Sequence, residues 1–266
     1  MSTVALACPI DLIAACLADF GAAELERGTG SIRMSLPVPL TDGRQPVFVL
    51  DVTVTGAEEV TVREAVPTLL PSSCPDRHIN PDGSFCLFWR AVDDIEITGP
   101  DTARDWMETL VRFLQLQFRA ARLRRWPDGR GRAHSFAVIH QYRAEAAAAL
   151  LGEPFVTDIL EGRLTISRKG GSAEGTAIRV LKDGRRIFSV WERSRRVVNL
   201  RQPCLCPAGA RRPPIVLKSC GDHATAAADL AMEMNEMVIA EKRFWKSVQG
   251  SPCCGTMDEC PLARAS

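Results

Sequence analysis

Three short runs with strand character follow one another between residues 32 and 63, and they restrict the first half of the chain to few folds. Residues 32–36 and 60–63 alternate apolar and polar side chains, and residues 47–54 are rich in β-branched types. Asp42-Gly43 and Gly56 separate the runs as turn signals. Closely spaced strands joined by short turns predict an antiparallel meander.

Segments with helical periodicity flank the three strand runs. Residues 10–25 predict a first helix because apolar side chains recur at helical spacing, namely Leu12, Ile13, Cys16, Leu17 and Phe20. Residues 102–125 predict a longer helix, and its start, Thr102 to Asp105, fits a capping box. Its apolar face consists of Trp106, Leu110, Phe113, Leu114 and Phe118. Residues 69–90 lack periodicity, so we expect a structured loop there.

The second half of the chain has weaker but readable signals. Residues 136–151 predict an alanine-rich helix, and residues 224–245 predict another. Short strands are expected at 163–167, 177–181 and 187–190, with Asp183-Gly184 as a hairpin turn. We therefore predict an α+β protein with a first domain over 1–130, a smaller α+β segment over 131–200 and a cysteine-rich module over 201–266.

The net charge excludes some classes of partner. Lys and Arg number 33 against 32 Asp and Glu, which leaves a formal charge of +1. No whole-molecule field then draws the chain to nucleic acid or to an anionic membrane, so neither partner is expected. No apolar run reaches the roughly 18 residues that span a bilayer. We expect a cytoplasmic protein, whose ten cysteines serve as a nucleophile, metal ligands or buried apolar groups.

One cysteine of the loop over residues 69–90 lies in a polar, turn-forming setting. The string is His78-Ile79-Asn80-Pro81-Asp82-Gly83-Ser84-Phe85-Cys86-Leu87. A thiol in an accessible loop is a candidate nucleophile. The alternative is that Cys86 fills a core pocket, as buried cysteines commonly do. Cys74 is a lesser candidate nucleophile because it lacks the Gly-x-x-Cys-Leu frame.

The same string resembles the active-site loop of the ubiquitin-conjugating enzymes, in particular that of their prokaryotic branch. In that family a His-Pro-Asn element precedes the active cysteine, which lies in a Gly-x-aliphatic-Cys-Leu setting. Residues 83–87 match the second element closely. Residues 78–80 match the first as His-x-Asn, with a shorter spacing to the cysteine. The order of helix, meander, loop and long helix over residues 1–130 agrees with the family.

This resemblance implies a fold, a reaction and partners. The fold is a ubiquitin-conjugating-like antiparallel meander sheet flanked by helices. The reaction is acyl transfer, in which Cys86 carries a ubiquitin-like protein as a thioester and passes it to an amine. Asn80 is the implied donor to the developing oxyanion, and His78 organises the loop rather than acting as a base. The implied partners are a ubiquitin-like protein, a ThiF-type activating enzyme and a deconjugating peptidase, and the setting that the resemblance suggests is phage defence.

Six of the ten cysteines follow residue 200, and this cluster predicts a structural zinc site. Zinc favours four thiolate or imidazole ligands in a tetrahedron. The candidates are Cys204, Cys206, Cys220, His223, Cys253, Cys254 and Cys260. Either the first four bind one ion, or one of the last three completes the set. Seven candidates fall short of the eight ligands that a paired zinc arrangement requires. The alternative is a set of buried thiols that bind no metal.

Two further functions stay open from the sequence alone. A domain of the conjugating fold without activity can act as an adaptor that binds ubiquitin-like proteins. A zinc-stabilised scaffold, in which the cysteine-rich tail is the working part, is the other alternative.

Overall fold

The computed structural model describes residues 8–55, 59–89, 96–129, 133–198, 202–204 and 216–264, and the chain forms two compact units. The first unit comprises the chain up to Pro127 together with the residues from Gln249 onward, and the second runs from Asp128 to Val248. The predicted domain boundary at residue 130 lies close to this division. The predicted cysteine-rich module over 201–266 is instead divided between the two units.

The first unit is built around a four-stranded sheet. Its helices are α1 (Pro9–Cys16) and α2 (Pro100–Leu123), and its strands are β1 (Ala23–Gly28), β2 (Ser31–Pro37), β3 (Val47–Thr55) and β4 (Glu59–Glu64). The strands pair in the order β1-β2-β3-β4, and every pair is antiparallel. The predicted antiparallel meander between helices is confirmed.

Period-2 alternation in the strands creates the core of the first unit. Alternate side chains of β2 and β3 are fully buried, as expected for a sheet with one face against helices. They are Ile32, Met34, Leu36, Phe48, Leu50 and Val52. The apolar faces of α1 and α2 complete the same cluster with Ile10, Ile13, Trp106, Met107 and Leu110. The helical periodicity of α2 therefore places its predicted apolar face in the core.

The first helix and β1 differ from the sequence prediction. The helix ends at Cys16, and one 3-10 turn, Leu17–Phe20, follows before Gly21 takes a left-handed conformation with φ 63°. Residues 23–28 then form an edge strand in which every side chain is exposed. This strand has no buried face, since Leu25 is exposed together with its charged neighbours. Ionised side chains on an edge strand also discourage pairing with another chain.

The capping box at the start of α2 begins three residues earlier than Thr102. Gly99 is the N-cap, and Thr102 occupies the third helical position. The Thr102 hydroxyl accepts a hydrogen bond from the Gly99 N–H at 3.0 Å. Pro100 fits the first helical position because its missing N–H has no partner there. Only half of the box is present, namely the bond from the Gly99 N–H to the Thr102 hydroxyl, because glycine has no side chain that could accept the Thr102 N–H.

The second unit is also α+β. It contains α3 (Ala137–Leu151), α4 (Glu153–Leu160), the strands β5 (Leu164–Ser172), β6 (Gly175–Lys182) and β7 (Arg185–Trp191), and α5 (Gly221–Ser247). The strands form an antiparallel sheet in chain order. Asp183 and Gly184 have φ of 48° and 76°, so the predicted hairpin turn between β6 and β7 is present.

Small side chains dominate the helical part of the second unit's core. Helices α3 and α5 pack together through alanines that include Ala144, Ala148, Ala227 and Ala231. The sheet contributes Ile178, Val180, Phe188 and Val190 to the same cluster. Two histidines of this unit pair with carboxylates of α5: His140 with Glu233 at 2.7 Å, and His134 with Glu241 at 3.1 Å. No helix in the described part of the chain is long and apolar enough to cross a membrane.

Candidate functional site

The chain after β4 is organised by one buried carboxylate. Glu64, the last residue of β4, is 7% exposed. Its Oε1 accepts hydrogen bonds from the Thr68 hydroxyl at 2.8 Å and the Leu69 N–H at 3.0 Å, and its Oε2 accepts one from the Leu70 N–H at 3.0 Å. A carboxylate that accepts backbone N–H groups fixes a segment that has no regular structure. Glu64 therefore shapes the entrance to the loop.

A short backbone pairing then positions His78 and Cys86. Cys74 and Ile79 exchange two backbone hydrogen bonds, each 3.0 Å long. His78 takes a left-handed conformation with φ 57° and is 7% exposed, with its ring edge-on to Trp126 at a centroid distance of 4.7 Å. The His78 carbonyl oxygen accepts the Cys86 N–H at 2.9 Å. Thus His78 connects the backbone of Cys86 to the packed interior.

A tight turn presents Asn80 beside the cysteine. The Gly83 N–H donates to the Asn80 carbonyl oxygen at 2.9 Å, and the Asn80 N–H donates to the Ser84 carbonyl oxygen at 2.8 Å. Gly83 has φ 81° and needs the conformational freedom of glycine. The Asn80 side-chain amide donates to the Ser84 hydroxyl at 3.0 Å, while that hydroxyl donates to Asp82 at 2.6 Å. These Ser84 hydrogen bonds lower the pKa of Asp82.

Cys86 and Asn80 line one open groove of about 480 Å³. The aromatic side chains of Phe88 and Trp89 line it as well, together with Val60 from β4. Cys86 is half-buried and Asn80 is exposed. A thiol and an amide donor therefore face the same space, which suits attack on an acyl carbon and stabilisation of the oxyanion that forms.

Burial raises the pKa of the Cys86 thiol above its ordinary value. Apolar surroundings disfavour the charged thiolate, and the thiolate is the nucleophilic form. The protonated thiol thus predominates at neutral pH in the free protein. Reaction requires loss of this proton as the acyl donor arrives.

The alkylation rate of Cys86 by iodoacetamide should reflect this raised pKa. We expect the rate to rise about tenfold per pH unit from pH 7 to pH 9, without a plateau, because the thiolate fraction grows by that factor below the pKa. Peptide-resolved mass spectrometry distinguishes Cys86 from the other thiols. The exposed Cys8 serves as an internal control for the reagent. A plateau near pH 7 at Cys86 would show an activated thiol instead.

A buried arginine anchors the same loop to α2. Arg77 is 3% exposed, and its Nε donates to the Gln117 side-chain oxygen at 2.9 Å. Its Nη2 donates to the Gln117 carbonyl oxygen at 3.0 Å, and its Nη1 donates to the Thr256 hydroxyl at 3.2 Å. The Gln117 amide donates back to the Arg77 carbonyl oxygen at 2.7 Å. This network connects the loop, α2 and the C-terminal segment within the first unit.

Replacing Arg77 with leucine should lower the free energy of unfolding of the protein by about 3 kcal/mol, because Gln117 loses its buried partners. Urea denaturation followed by tryptophan fluorescence measures the change. Arg119 is an exposed arginine of α2. The free energy of unfolding of Arg119→Leu should stay within about 0.5 kcal/mol of that of the native protein. Equal effects of the two substitutions would mean that the buried network does not stabilise the loop.

Three of the predicted metal ligands meet in the second unit. The ligand atoms of Cys204, Cys220 and His223 all lie within 4.8 Å of one another. His223 Nδ1 lies 3.4 Å from Cys204 Sγ and 3.3 Å from Cys220 Sγ. Cys220 is the N-cap of α5, and His223 lies in its first turn, so the helix start holds two of the ligands. Cys206, the remaining predicted ligand of this group, lies outside the described residues.

The other three predicted metal ligands lie in the first unit, together with a cysteine from the loop. Cys254 Sγ lies 2.7 Å from Cys74 Sγ, and the side chain of Cys260 interacts with that of Cys253. The hydrogen bond with Cys74 lowers the pKa of Cys254 to about 5 and raises that of Cys74. Burial raises the pKa of Cys260 to about 11. Cys74 is 1% exposed, so the lesser candidate nucleophile is not accessible.

Several residues that shape the site were missed by the sequence analysis. Glu64, Arg77 and Gln117 are buried polar groups in or near the loop. A carboxylate at a strand end and an arginine in a loop normally face solvent. These three residues can be recognised as buried only from their hydrogen-bond partners, which lie far away in the sequence or in segments without regular structure. The contact of Trp126 with His78 likewise gave no sequence signal.

Comparison with known families agrees with the geometry. A family model described as a prokaryotic E2 domain matches residues 20–128, and one described as a cysteine-rich domain C-terminal to the E2 domain matches residues 133–262. No curated protein and no solved structure matches the chain. The chain belongs to the prokaryotic E2, or ubiquitin-conjugating-like, family in the form that carries a cysteine-rich domain C-terminal to the E2 domain.

Proposed function

We propose that this protein carries a ubiquitin-like protein as a thioester on Cys86 and transfers it to an amine. The observation that supports the proposal most strongly is the shared groove of Cys86 and Asn80. The tight turn holds the Asn80 amide against the Ser84 hydroxyl at 3.0 Å, and Ser84 lines the same groove. Membership of the E2 family agrees with a conjugating role.

Charging of the enzyme is an exchange of thioesters. The Cys86 sulfur forms a bond to the C-terminal carbonyl carbon of the ubiquitin-like protein, and the bond from that carbon to the donor's sulfur breaks. The proton of Cys86 ends on the departing sulfur, so no oxidant or reductant is involved. Because burial raises the pKa of Cys86, this exchange requires the thiol to lose its proton as the donor arrives.

Transfer then forms an amide or isopeptide bond. The acceptor nitrogen attacks the thioester carbonyl carbon, Cys86 leaves as a thiolate, and the nitrogen gives up a proton. Negative charge develops on the carbonyl oxygen, and the neutral Asn80 amide can donate to it after releasing Ser84. The hydrogen bond from the Cys86 N–H to the His78 carbonyl oxygen fixes the backbone that carries the sulfur during both steps.

The partners follow from this chemistry. A ThiF-type activating enzyme would supply the ubiquitin-like protein as a thioester, and a deconjugating peptidase would reverse the modification. A role in phage defence stays a prediction.

The test of the proposed function is a charging assay with the full chain. The protein, an activating enzyme, a ubiquitin-like protein and ATP are combined and separated on a non-reducing gel. We expect an adduct that disappears on addition of thiol. Absence of an adduct, with a partner set that charges another conjugating protein, would contradict the proposal.

The second candidate function is a binding adaptor of the conjugating fold. The burial that raises the pKa of Cys86 and the aromatic lining of its groove favour this alternative. An adaptor would bind the ubiquitin-like protein without forming an adduct. Equal dissociation constants for the native protein and Cys86→Ala, together with a failed charging assay, would establish it.

We propose that the second unit binds a structural zinc ion through Cys204, Cys220 and His223, with Cys206 as the fourth ligand. The three described ligand atoms suit zinc because it favours thiolate and imidazole donors in a compact tetrahedron. They fasten the segment that contains Cys204 to the start of α5. Loss of the ion would release both.

The His223→Ala variant should therefore unfold more easily than the native protein. We expect the free energy of unfolding of the second unit to fall by more than about 4 kcal/mol, because loss of a structural metal is a large effect. Thermal melts with and without a chelator measure it, and the chelator should have little effect on the variant at this site. His140→Ala is the matched control and should cost about 1 kcal/mol, as expected for the loss of one partly buried side-chain hydrogen bond.

A further inference from the structure

The first unit contains two pairs of cysteine side chains, and they come from two distant segments. Cys74 follows β4 in the loop, and Cys253, Cys254 and Cys260 belong to the C-terminal segment. Cys74 Sγ lies 2.7 Å from Cys254 Sγ, and Cys253 interacts with Cys260. Residues 253 and 254 are neighbours in the chain and link the two pairs, but the four sulfurs are not as compact a group as the ligand atoms of Cys204, Cys220 and His223.

The turn after Cys254 has hydrogen bonds directed at sulfur. The Gly255 N–H lies 3.4 Å from Cys253 Sγ and donates to it. The Thr256 hydroxyl lies 3.0 Å from Cys254 Sγ. Donors directed at sulfur favour the thiolate, the form in which cysteine binds metals. Gly255 has φ 69°, so the tight turn uses a residue without a side chain.

Arg77 is a buried cation close to these sulfurs. Its hydrogen-bond partners in the described part of the chain are all neutral: the side chain and carbonyl oxygen of Gln117 and the Thr256 hydroxyl. A guanidinium that is 3% exposed is stabilised by an anion nearby. The Thr256 hydroxyl that accepts from Arg77 lies 3.0 Å from Cys254 Sγ, so metal-bound thiolates here would supply negative charge close to the guanidinium.

A bound zinc ion would stabilise thiolates at these buried positions. Cys74 and Cys260 are each 1% exposed, and uncoordinated buried thiolates are costly. Zinc binds thiolates at about 2.3 Å in a tetrahedron, which places sulfurs about 3.8 Å apart. Cys74 and Cys254 would therefore move apart by roughly 1 Å to share an ion. Four thiolates around Zn²⁺ leave a net negative charge, which Arg77 can balance.

We propose that Cys74, Cys253, Cys254 and Cys260 bind a second zinc ion in the first unit, separate from the site of Cys204, Cys220 and His223. Cys74 is the eighth ligand that the count of the cysteine-rich tail lacks. The ion would tie the C-terminal segment to the loop that carries the nucleophile, since Cys74 pairs with Ile79 through the backbone. This proposal does not depend on the thioester function.

The zinc content of the purified full chain tests the proposal directly. Elemental analysis by mass spectrometry should find two zinc ions in the native protein and one in either Cys74→Ser or Cys260→Ser. His223→Ala should also lose one ion, namely the one bound by Cys204, Cys220 and His223 in the second unit. The matched control is Cys16→Ser, because Cys16 is a buried cysteine of the same unit outside the cluster. This control should keep both ions.

Cobalt substitution of the native protein covers the case in which a variant fails to fold. Two Co²⁺ ions should bind, and thiolate-to-cobalt charge-transfer bands should indicate one site with four sulfur ligands. The proposal would be overturned if the native protein contained a single zinc ion and Cys74→Ser contained the same amount. A Cys74–Cys254 disulfide, seen as the loss of two hydrogens in a non-reduced digest of freshly purified protein, would overturn it as well.

Discussion

Cys86→Ser is expected to lower the rate of transfer to an amine by roughly 10³-fold or more, because a hydroxyl is a far weaker nucleophile than a thiol and its ester is less reactive. The variant should still accept the ubiquitin-like protein slowly as an oxygen ester. The resulting adduct should resist thiol reagents, whereas the native adduct should not. Cys86→Ala should form neither adduct.

Two controls separate the role of Cys86 from general effects of cysteine removal. Cys8 is exposed at the start of α1, and Cys8→Ser should retain the native rate. Circular dichroism and thermal melts should show that Cys86→Ser keeps its fold, since serine is close to cysteine in size. Native transfer rates in Cys86→Ala would refute the assignment of the nucleophile.

Asn80→Ala is expected to lower the rate of thioester discharge by roughly 10²- to 10³-fold, the usual cost of one oxyanion donor. The measurement is a single-turnover discharge of preformed thioester to free lysine. Removal of the amide leaves the developing oxyanion without this neutral donor. Ser84→Ala removes the resting partner of the amide and the hydrogen bond to Asp82 but no oxyanion donor, so we expect a loss of about tenfold or less there.

A change in loop shape could imitate the loss of a donor, and alkylation of Cys86 distinguishes the two. The rate of reaction with iodoacetamide should be the same in Asn80→Ala and in the native protein, because it depends on exposure and pKa of the thiol. A large change in alkylation would mean that Asn80 acts through the loop. Native discharge by Asn80→Ala would remove Asn80 from the proposed reaction.

The sequence predicted the first unit well where one physical signal dominated. Strands with one buried face alternate, so β2, β3 and β4 were readable. Residues 23–28 were missed because a fully exposed edge strand has no apolar period. Helix α4 was missed because it is short and follows α3 almost directly. The helix start at Gly99 was misplaced because the N-cap has no side chain.

The sequence predicted only those parts of the candidate site whose residues lie close together in the chain. His78, Asn80 and Cys86 lie within one loop, and hydrogen bonds between near neighbours place them. The cysteine cluster of the first unit could not be predicted, since Cys74 and Cys254 are separated by 180 positions in the chain. Chain spacing instead grouped all the late cysteines into one module. The contact of the C-terminal segment with the loop depends on tertiary packing, which the sequence does not display.

The attachment site of the modifier is the most direct measure of the proposed reaction. The adduct can be digested under acidic, non-reducing conditions and its linked peptides sequenced by tandem mass spectrometry. We predict that the C-terminal peptide of the ubiquitin-like protein is linked through its carbonyl carbon to the sulfur of Cys86. Linkage to Cys254, the half-buried thiol with the lowered pKa, or to no cysteine at all, would contradict Cys86 as the carrier.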